Sequence, residues 1–181
     1  RTTSPSIPME PAERAQTYAA LAESTRRLVA LMDGKAGFLF AANGALLTFM
    51  WIGARLGEVA PAAKWFALGA SLSSLLALLA ALWVVIPRRS IALPGSDRGD
   101  YRPISFYGYV ATHYAATEFR RFEQEVAQFD TADFSREALA EHFMVSRIVK
   151  NKTAWVTISG ALTFASMALA GAALLVKTVY G

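Results

Sequence analysis

WFALGASLSSLLALLAALWVVI, residues 65–86, holds no charged residue and no polar side chain beyond Ser71, Ser73, Ser74 and the indole edges of its two tryptophans. A helix of this length rises about 33 Å, enough to cross a hydrocarbon core of about 30 Å. Two further stretches, 36–54 and 154–176, are equally free of charge. A helix buried in a soluble domain keeps a polar face toward water, and residues 65–86 offer none. The four tryptophans stand at the ends of these stretches, Trp51 and Trp65 at one pair, Trp83 and Trp155 at the other. Indole rings favour the headgroup level, so they read as two interfacial belts. The sequence therefore predicts an all-α integral membrane protein with three transmembrane helices and a cytoplasmic helical bundle.

Charge sets the expected orientation. Lysine and arginine number five in residues 1–35, two in 55–64 and ten in 87–153, with Lys177 alone beyond the third stretch. Basic segments resist translocation, which places the N-terminus and 87–153 in the cytoplasm. Four segments follow. Residues 1–35 form a cytoplasmic N-terminal helix, and 36–86 form two spans with a short external turn. Residues 87–153 form a cytoplasmic helical region, and 154–181 form the third span with an external tail. The net charge of +4 is then a matter of topology, and no nucleic-acid partner is expected. Cysteine is absent, which excludes thiol chemistry. The chain opens on Arg1, as a truncated chain or an expression remnant would, and its first thirty residues are too polar for a secretory signal peptide.

Outside the spans the periodicity is helical. Tyr18, Leu21, Leu28 and Met32, with Thr25 between, mark an amphipathic face over 11–35. An unbroken helix from Pro11 to Ala54 would be about 65 Å long. Pro87-Arg88-Arg89 ends the second span with two cations at the headgroups, and breaker residues make 90–103 a loop. Ser105–Phe129 carries aromatic and aliphatic residues at three and four, predicting one helix. Asp130–Asp133 breaks it, and Asp133 or Ser135 is expected to cap a last helix running from Arg136 through Lys152 into the third span. Aromatic faces on these helices predict a packed stalk bundle.

Catalytic chemistry is not legible. His113 and His142 are the only histidines and show no metal-ligand spacing. Gly34-Lys35 lacks the upstream glycine and following hydroxyl residue of a phosphate loop, and the Asn151-Lys152-Thr153 sequon falls on the cytoplasmic side. No enzyme activity, metal or cofactor is expected. Asn43 is the one strongly polar side chain inside a span, expected to bond another helix or to line a polar path. Asp33 and Lys35 stand at the membrane threshold, as an interfacial pair or as contacts to the loop after the second span. Small residues are dense in the second and third spans, more than three helices need for close approach, so a homo-oligomer is expected.

These residues carry a resemblance. Asp33-x-Lys35-Ala36 followed by Ala42-Asn43-Gly44-x-Leu46-Leu47 is similar to the opening motif of the Pycsar transmembrane effectors (PycTM). Pro87-Arg88-Arg89, Ile104-Ser105-Phe106-Tyr107-Gly108 and the run Glu141 to Lys152 (EHFMVSRIVKNK) follow in the family's order. The resemblance covers about Tyr18 to Val176. It implies an antiphage effector that senses cyclic UMP or cyclic CMP made by a partner pyrimidine cyclase. The resemblance places such an effector in the bacterial inner membrane, which it then impairs, arresting growth before phage release. The family supplies no catalytic residues. A cyclic nucleotide needs a cation for its phosphodiester, a polar partner for its ribose and a flat surface for its base. Two helical faces meet that need: His113, Thr117 and Arg121 with Arg120 beside them, and His142, Ser146 and Lys150 with Arg147 beside them. Antiparallel packing of the two helices would put a basic pocket between them. A constitutive channel or small transporter, or a scaffold recruiting a cytoplasmic partner, is the alternative reading.

Overall fold

The computed structural model describes residues 10–56, 61–86, 104 and 107–180, and all regular structure among them is helical. Helix α1 spans Pro11–Thr48 and runs into a π-helical turn, Phe49–Gly53; α2 spans Pro61–Val85, α3 Tyr107–His113, α4 Phe119–Val126 and α5 Thr131–Tyr180. Three of these, α1 with its π turn, α2 and α5, are long and apolar enough to cross a membrane. Pro87-Arg88-Arg89, the 90–103 loop and Ser105-Phe106 lie outside the described residues. The chain divides into two compact units, one of residues 28–88 and 148–181, the other of 1–27 and 89–147.

The first of these, the membrane unit, is ordered inside out relative to a water-soluble core. The buried positions of α2 are Ala63, Ala67, Ala70, Ser74, Ala77, Ala81 and Val84, joined by Ala80, an almost unbroken four–three alternation. Ser159, Thr163, Ser166, Ala170 and Ala173 repeat it on α5. The large side chains Leu68, Leu72, Leu75, Leu79, Leu82 and Phe164 point outward and are exposed. Among acyl chains a leucine gains nothing by leaving the surface, so packing favours residues small enough to let backbones approach. The approach is sealed by hydroxyl bonds across the seam. Ser74 and Ser166 share one at 2.7 Å, Ser166 donates to the Ala70 carbonyl at 2.7 Å, and Ser159 donates to the Ala77 carbonyl at 2.9 Å.

Larger residues close the two ends of this seam. Met50 and Leu56 pack with Ala67, Ala70, Ala170 and Ala173, while Ala36, Ala81 and Val84 pack with Trp155 and Val156. Leu56 reaches its site because Arg55 adopts a left-handed conformation, φ 47°. A non-glycine residue there costs about 1–2 kcal/mol, which the full burial of Leu56 offsets. Lys177 donates to the Ala54 carbonyl at 2.7 Å and ties the same turn to α5.

The second unit is built from the start of α1, α3, α4 and the start of α5. Its buried positions on α1 are Ala22 and Thr25, whereas Leu21 is exposed. Of the expected amphipathic face, Thr25 and Met32 are buried and Tyr18 is half-buried, but Ala22 and Val29 take the places of the exposed Leu21 and Leu28, because close approach here again selects the smaller side chains. Thr25 satisfies its hydroxyl on the Ala22 carbonyl, 2.8 Å away. The Arg26 guanidinium grips Glu141 through two bonds of 2.6 and 2.7 Å.

The single helix expected over Ser105–Phe129 is broken between His113 and Phe119. The Glu118 carboxylate reaches back to accept from the Ala115 amide at 2.8 Å, and the Glu118 amide closes on the Ala115 carbonyl at 2.9 Å. Local capping therefore outweighs helix propagation in Tyr114–Glu118. The cap of α5 also differs from expectation. Asp130 accepts from the Asp133 amide at 2.8 Å while Asp133 accepts from the Asp130 amide at 3.3 Å, a reciprocal capping box. Ser135 instead bonds back to the Thr131 carbonyl.

Seam packing makes a direct expectation. Ala70→Leu overpacks the contact and destabilises by about 1–3 kcal/mol, whereas Leu72→Ala, on the outer face, stays within about 0.5 kcal/mol. Thermal unfolding in detergent micelles measures both, and equal shifts for the two variants would contradict the seam.

Candidate functional site

Outside the membrane unit, the break in the expected helix creates a site. Because α4 turns back at Tyr114–Glu118, Tyr114 packs edge-on to Phe122 at 5.2 Å between centroids and donates its hydroxyl to Glu125. Tyr109 stacks flat on His113, centroids 3.9 Å apart and planes 21° from parallel. The resulting hollow, about 230 Å³, is lined by Tyr109, His113, Tyr114, Arg121 and Glu125. The Arg121 guanidinium lies over the Tyr114 ring at 5.7 Å and is held by Glu118 at 3.1 Å and Glu125 at 3.7 Å. Those carboxylates, Glu118 first, keep it cationic. The Glu118 carboxyl is itself held below the usual range by the Ala115 amide and then by Arg121. One cation, one carboxylate and a flat aromatic–imidazole stack thus meet in one open hollow, the inventory that anion, hydroxyl and base recognition require.

Of the sequence-derived residues, His113 and Arg121 come together here, but not by the helical spacing first assigned to them. Thr117 lies in the turn and Arg120 on the exposed face of α4, both outside the lining. His142, Ser146, Arg147 and Lys150 do not line the hollow either. His142 Nδ1 is 3.2 Å from the Leu21 carbonyl, Ser146 bonds back to the His142 carbonyl at 2.7 Å, and Arg147 lies over Phe143 at 5.9 Å. Lys150 is exposed and belongs to the membrane unit. Tyr109 and Glu125 were missed as site residues. The available signals were the i, i+4 pairs Tyr109–His113 and Arg121–Glu125, which by themselves describe any solvated helix face.

Within the membrane unit, Asn43 is fully buried. Its Nδ2 donates to the Leu39 carbonyl at 2.8 Å and to Thr163 Oγ1 at 2.7 Å, while the Thr163 hydroxyl donates to the Ser159 carbonyl at 2.8 Å. This arrangement leaves Asn43 Oδ1 without a donor among the described residues. An unsatisfied buried acceptor costs about 1–3 kcal/mol, so the seam carries one point that hydration or rearrangement would relieve. Asp33 pairs with Lys152 on α5 rather than with Lys35. Among the described residues Lys35 makes no ion pair. No group of three or more His, Cys, Asp or Glu suited to a metal occurs among the described residues.

A family model described as the Pycsar effector protein domain matches residues 17–177 of the chain. No curated protein and no solved structure matches it.

The hollow has a titration signature. The hydrogen bond to Glu125, aided by burial and by the Glu125 charge, pushes the Tyr114 phenol up to about 12. A raised phenol pKa contributes stability that is fully present below the ordinary value of about 10 and is lost as pH rises through the folded value. Ultraviolet titration of tyrosinate should show one late-ionising phenol that disappears in Tyr114→Phe. It should move back toward the ordinary value in Glu125→Gln. An unchanged titration in both variants would remove the Tyr114–Glu125 contact.

Proposed function

Because the chain belongs to the Pycsar effector family, we propose that the hollow at Arg121 receives a cyclic pyrimidine nucleotide and that its occupation loosens the membrane unit. The protein is an effector of antiphage defence and a membrane protein, in a family that is not known to be catalytic. The family implies a cyclic nucleotide signal from a cyclase partner. The observation that carries the reading is the convergence of Arg121, Glu125 and the stacked Tyr109–His113 pair. A phosphodiester recruits Arg121 in competition with Glu118 and Glu125, Glu125 accepts from a ribose hydroxyl as well as from Tyr114, and the base extends the aromatic stack.

Ligand acts only through differential affinity for two arrangements of the chain. Helix α5 follows α4 directly and continues into the membrane unit, so it offers a covalent route from the hollow to the seam, and the Arg26–Glu141 pair ties α1 to it. Moving either helix exposes Asn43, whose orphaned carbonyl gains a hydrogen bond once water enters. The seam then opens to ions or disorders the surrounding lipid, and subunits assembled through their outer faces enlarge the defect. In this reading the chain sits in the bacterial inner membrane with its N-terminus and the 87–153 segment in the cytoplasm, where the signal is made.

Proteoliposomes holding the full chain test the proposal. Cyclic UMP or cyclic CMP should bind by calorimetry and release an entrapped dye. Arg121→Gln should weaken binding by about tenfold or more, as loss of a charge-assisted contact does. Asn43→Leu should keep binding and reduce release. Dye release without nucleotide, equal in wild type and Arg121→Gln, would instead fit a constitutive pore and overturn the proposal.

A further inference from the structure

The membrane unit carries a second cavity that the effector reading does not use. A groove of about 540 Å³ runs between α1 and α5, lined chiefly by Leu31, Gly34, Lys35, Phe38, Val156 and Gly160. Its floor is open: a side-chain carbon added at Gly34 or at Gly160 would meet no atom within 4 Å. Its wall is apolar and outward-facing, with Phe38 72% exposed. It spans residues 30–39 of α1, about 13 Å along the axis, the scale of an acyl-chain segment.

Three observations fix what kind of molecule fits. First, the groove lies at the end of the span. Val156 is one residue from Trp155, whose indole packs on Trp83 with centroids 6.0 Å apart, and indoles mark the headgroup level. Second, the local charge is unbalanced. Asp33 is neutralised by Lys152, so Lys35 leaves a net positive charge beside the groove. Third, Lys35 is exposed and, among the described residues, makes no ion pair. A lysine stem lies along apolar surface while its ammonium reaches the headgroup layer, and a basic site between membrane helices favours an anionic headgroup.

We propose that this groove is a binding site for an anionic phospholipid, one acyl chain lying over Gly34 and Gly160 and the headgroup phosphate meeting the Lys35 ammonium. A second copy of the chain is the rival occupant. It would have to cover Lys35 with a complementary carboxylate, and the outer faces of the spans carry none among the described residues. A zwitterionic lipid would fill the same groove without using the unbalanced charge. The assignment is independent of the nucleotide site.

The full chain, purified in mild detergent, is titrated with phosphatidylglycerol or with phosphatidylcholine of identical acyl chains, and bound lipid is counted by native mass spectrometry. Phosphatidylglycerol should be retained at lower concentration than phosphatidylcholine. Lys35→Gln should weaken phosphatidylglycerol roughly fivefold, the effect of one lost lipid-facing cation, and erase the preference; Lys35→Arg should restore it. Gly160→Leu, which fills the floor, should exclude both lipids. Lys35 is exposed, so its variants read the headgroup contact without threatening the fold. Equal retention of the two lipids by the wild type, or an unchanged preference in Lys35→Gln, overturns the proposal. So does a Gly160→Leu variant that keeps its lipid and loses a dimer.

Discussion

How near the three membrane helices can come to one another governs everything else in this protein. Hydrocarbon removes the hydrophobic drive that holds a water-soluble bundle together, leaving contact and hydrogen bonding to do so. The chain answers by placing alanine and serine at nearly every buried position of α2 and sending its leucines outward. Each seam hydroxyl then lies close enough to reach a neighbouring helix, as Ser159 and Ser166 do with the carbonyls of Ala77 and Ala70. Individually such bonds contribute about 0.6 kcal/mol, so the seam holds by repetition rather than by any single contact.

A seam of that kind is stable but not strongly so, and that matters for an effector. It holds an asparagine with an unmet acceptor, a left-handed arginine at one end and an ion pair of Asp33 with Lys152 near the other. The unmet acceptor and the ion pair are groups that water solvates well, whereas the strain at Arg55 is offset by the burial of Leu56. The polar chemistry outside the membrane unit is of another sort, with carboxylates and aromatic rings gathered around Arg121. In the proposed mechanism a signal that competes for that cation shifts the seam only by its differential affinity for two arrangements of the chain.

Much of the fold was written plainly in the sequence. The three uncharged stretches and their tryptophan ends led to the three membrane helices, because length and charge act over many residues and no tertiary detail can cancel them. Asn43 was legible as a residue in need of a partner, though nothing local could name Thr163. The break at Tyr114–Glu118 was not legible. It depends on one carboxylate folding back to a nearby amide, and its trace in the apolar spacing, a five-residue step from Tyr114 to Phe119 among steps of three and four, does not by itself tell a break from a continuing helix. Residue spacing along an assumed helix therefore suggested Thr117 and Arg120, whereas the turn gathers Tyr109, Tyr114 and Glu125 around His113 and Arg121. On α1 the larger Leu21 drew attention that belonged to Ala22, because amphipathicity rewards size where close packing rewards its absence.

The absence of cysteine permits a direct measurement of the seam. Ser74 and Ser166, whose hydroxyls lie 2.7 Å apart, are replaced together by cysteine, and native membranes are oxidised and analysed by non-reducing electrophoresis. The account requires a disulfide within one chain, formed in high yield and absent from a Leu72→Cys, Ser166→Cys control. A pair that stays reduced, or that links two chains instead of one, would contradict the closed three-helix seam.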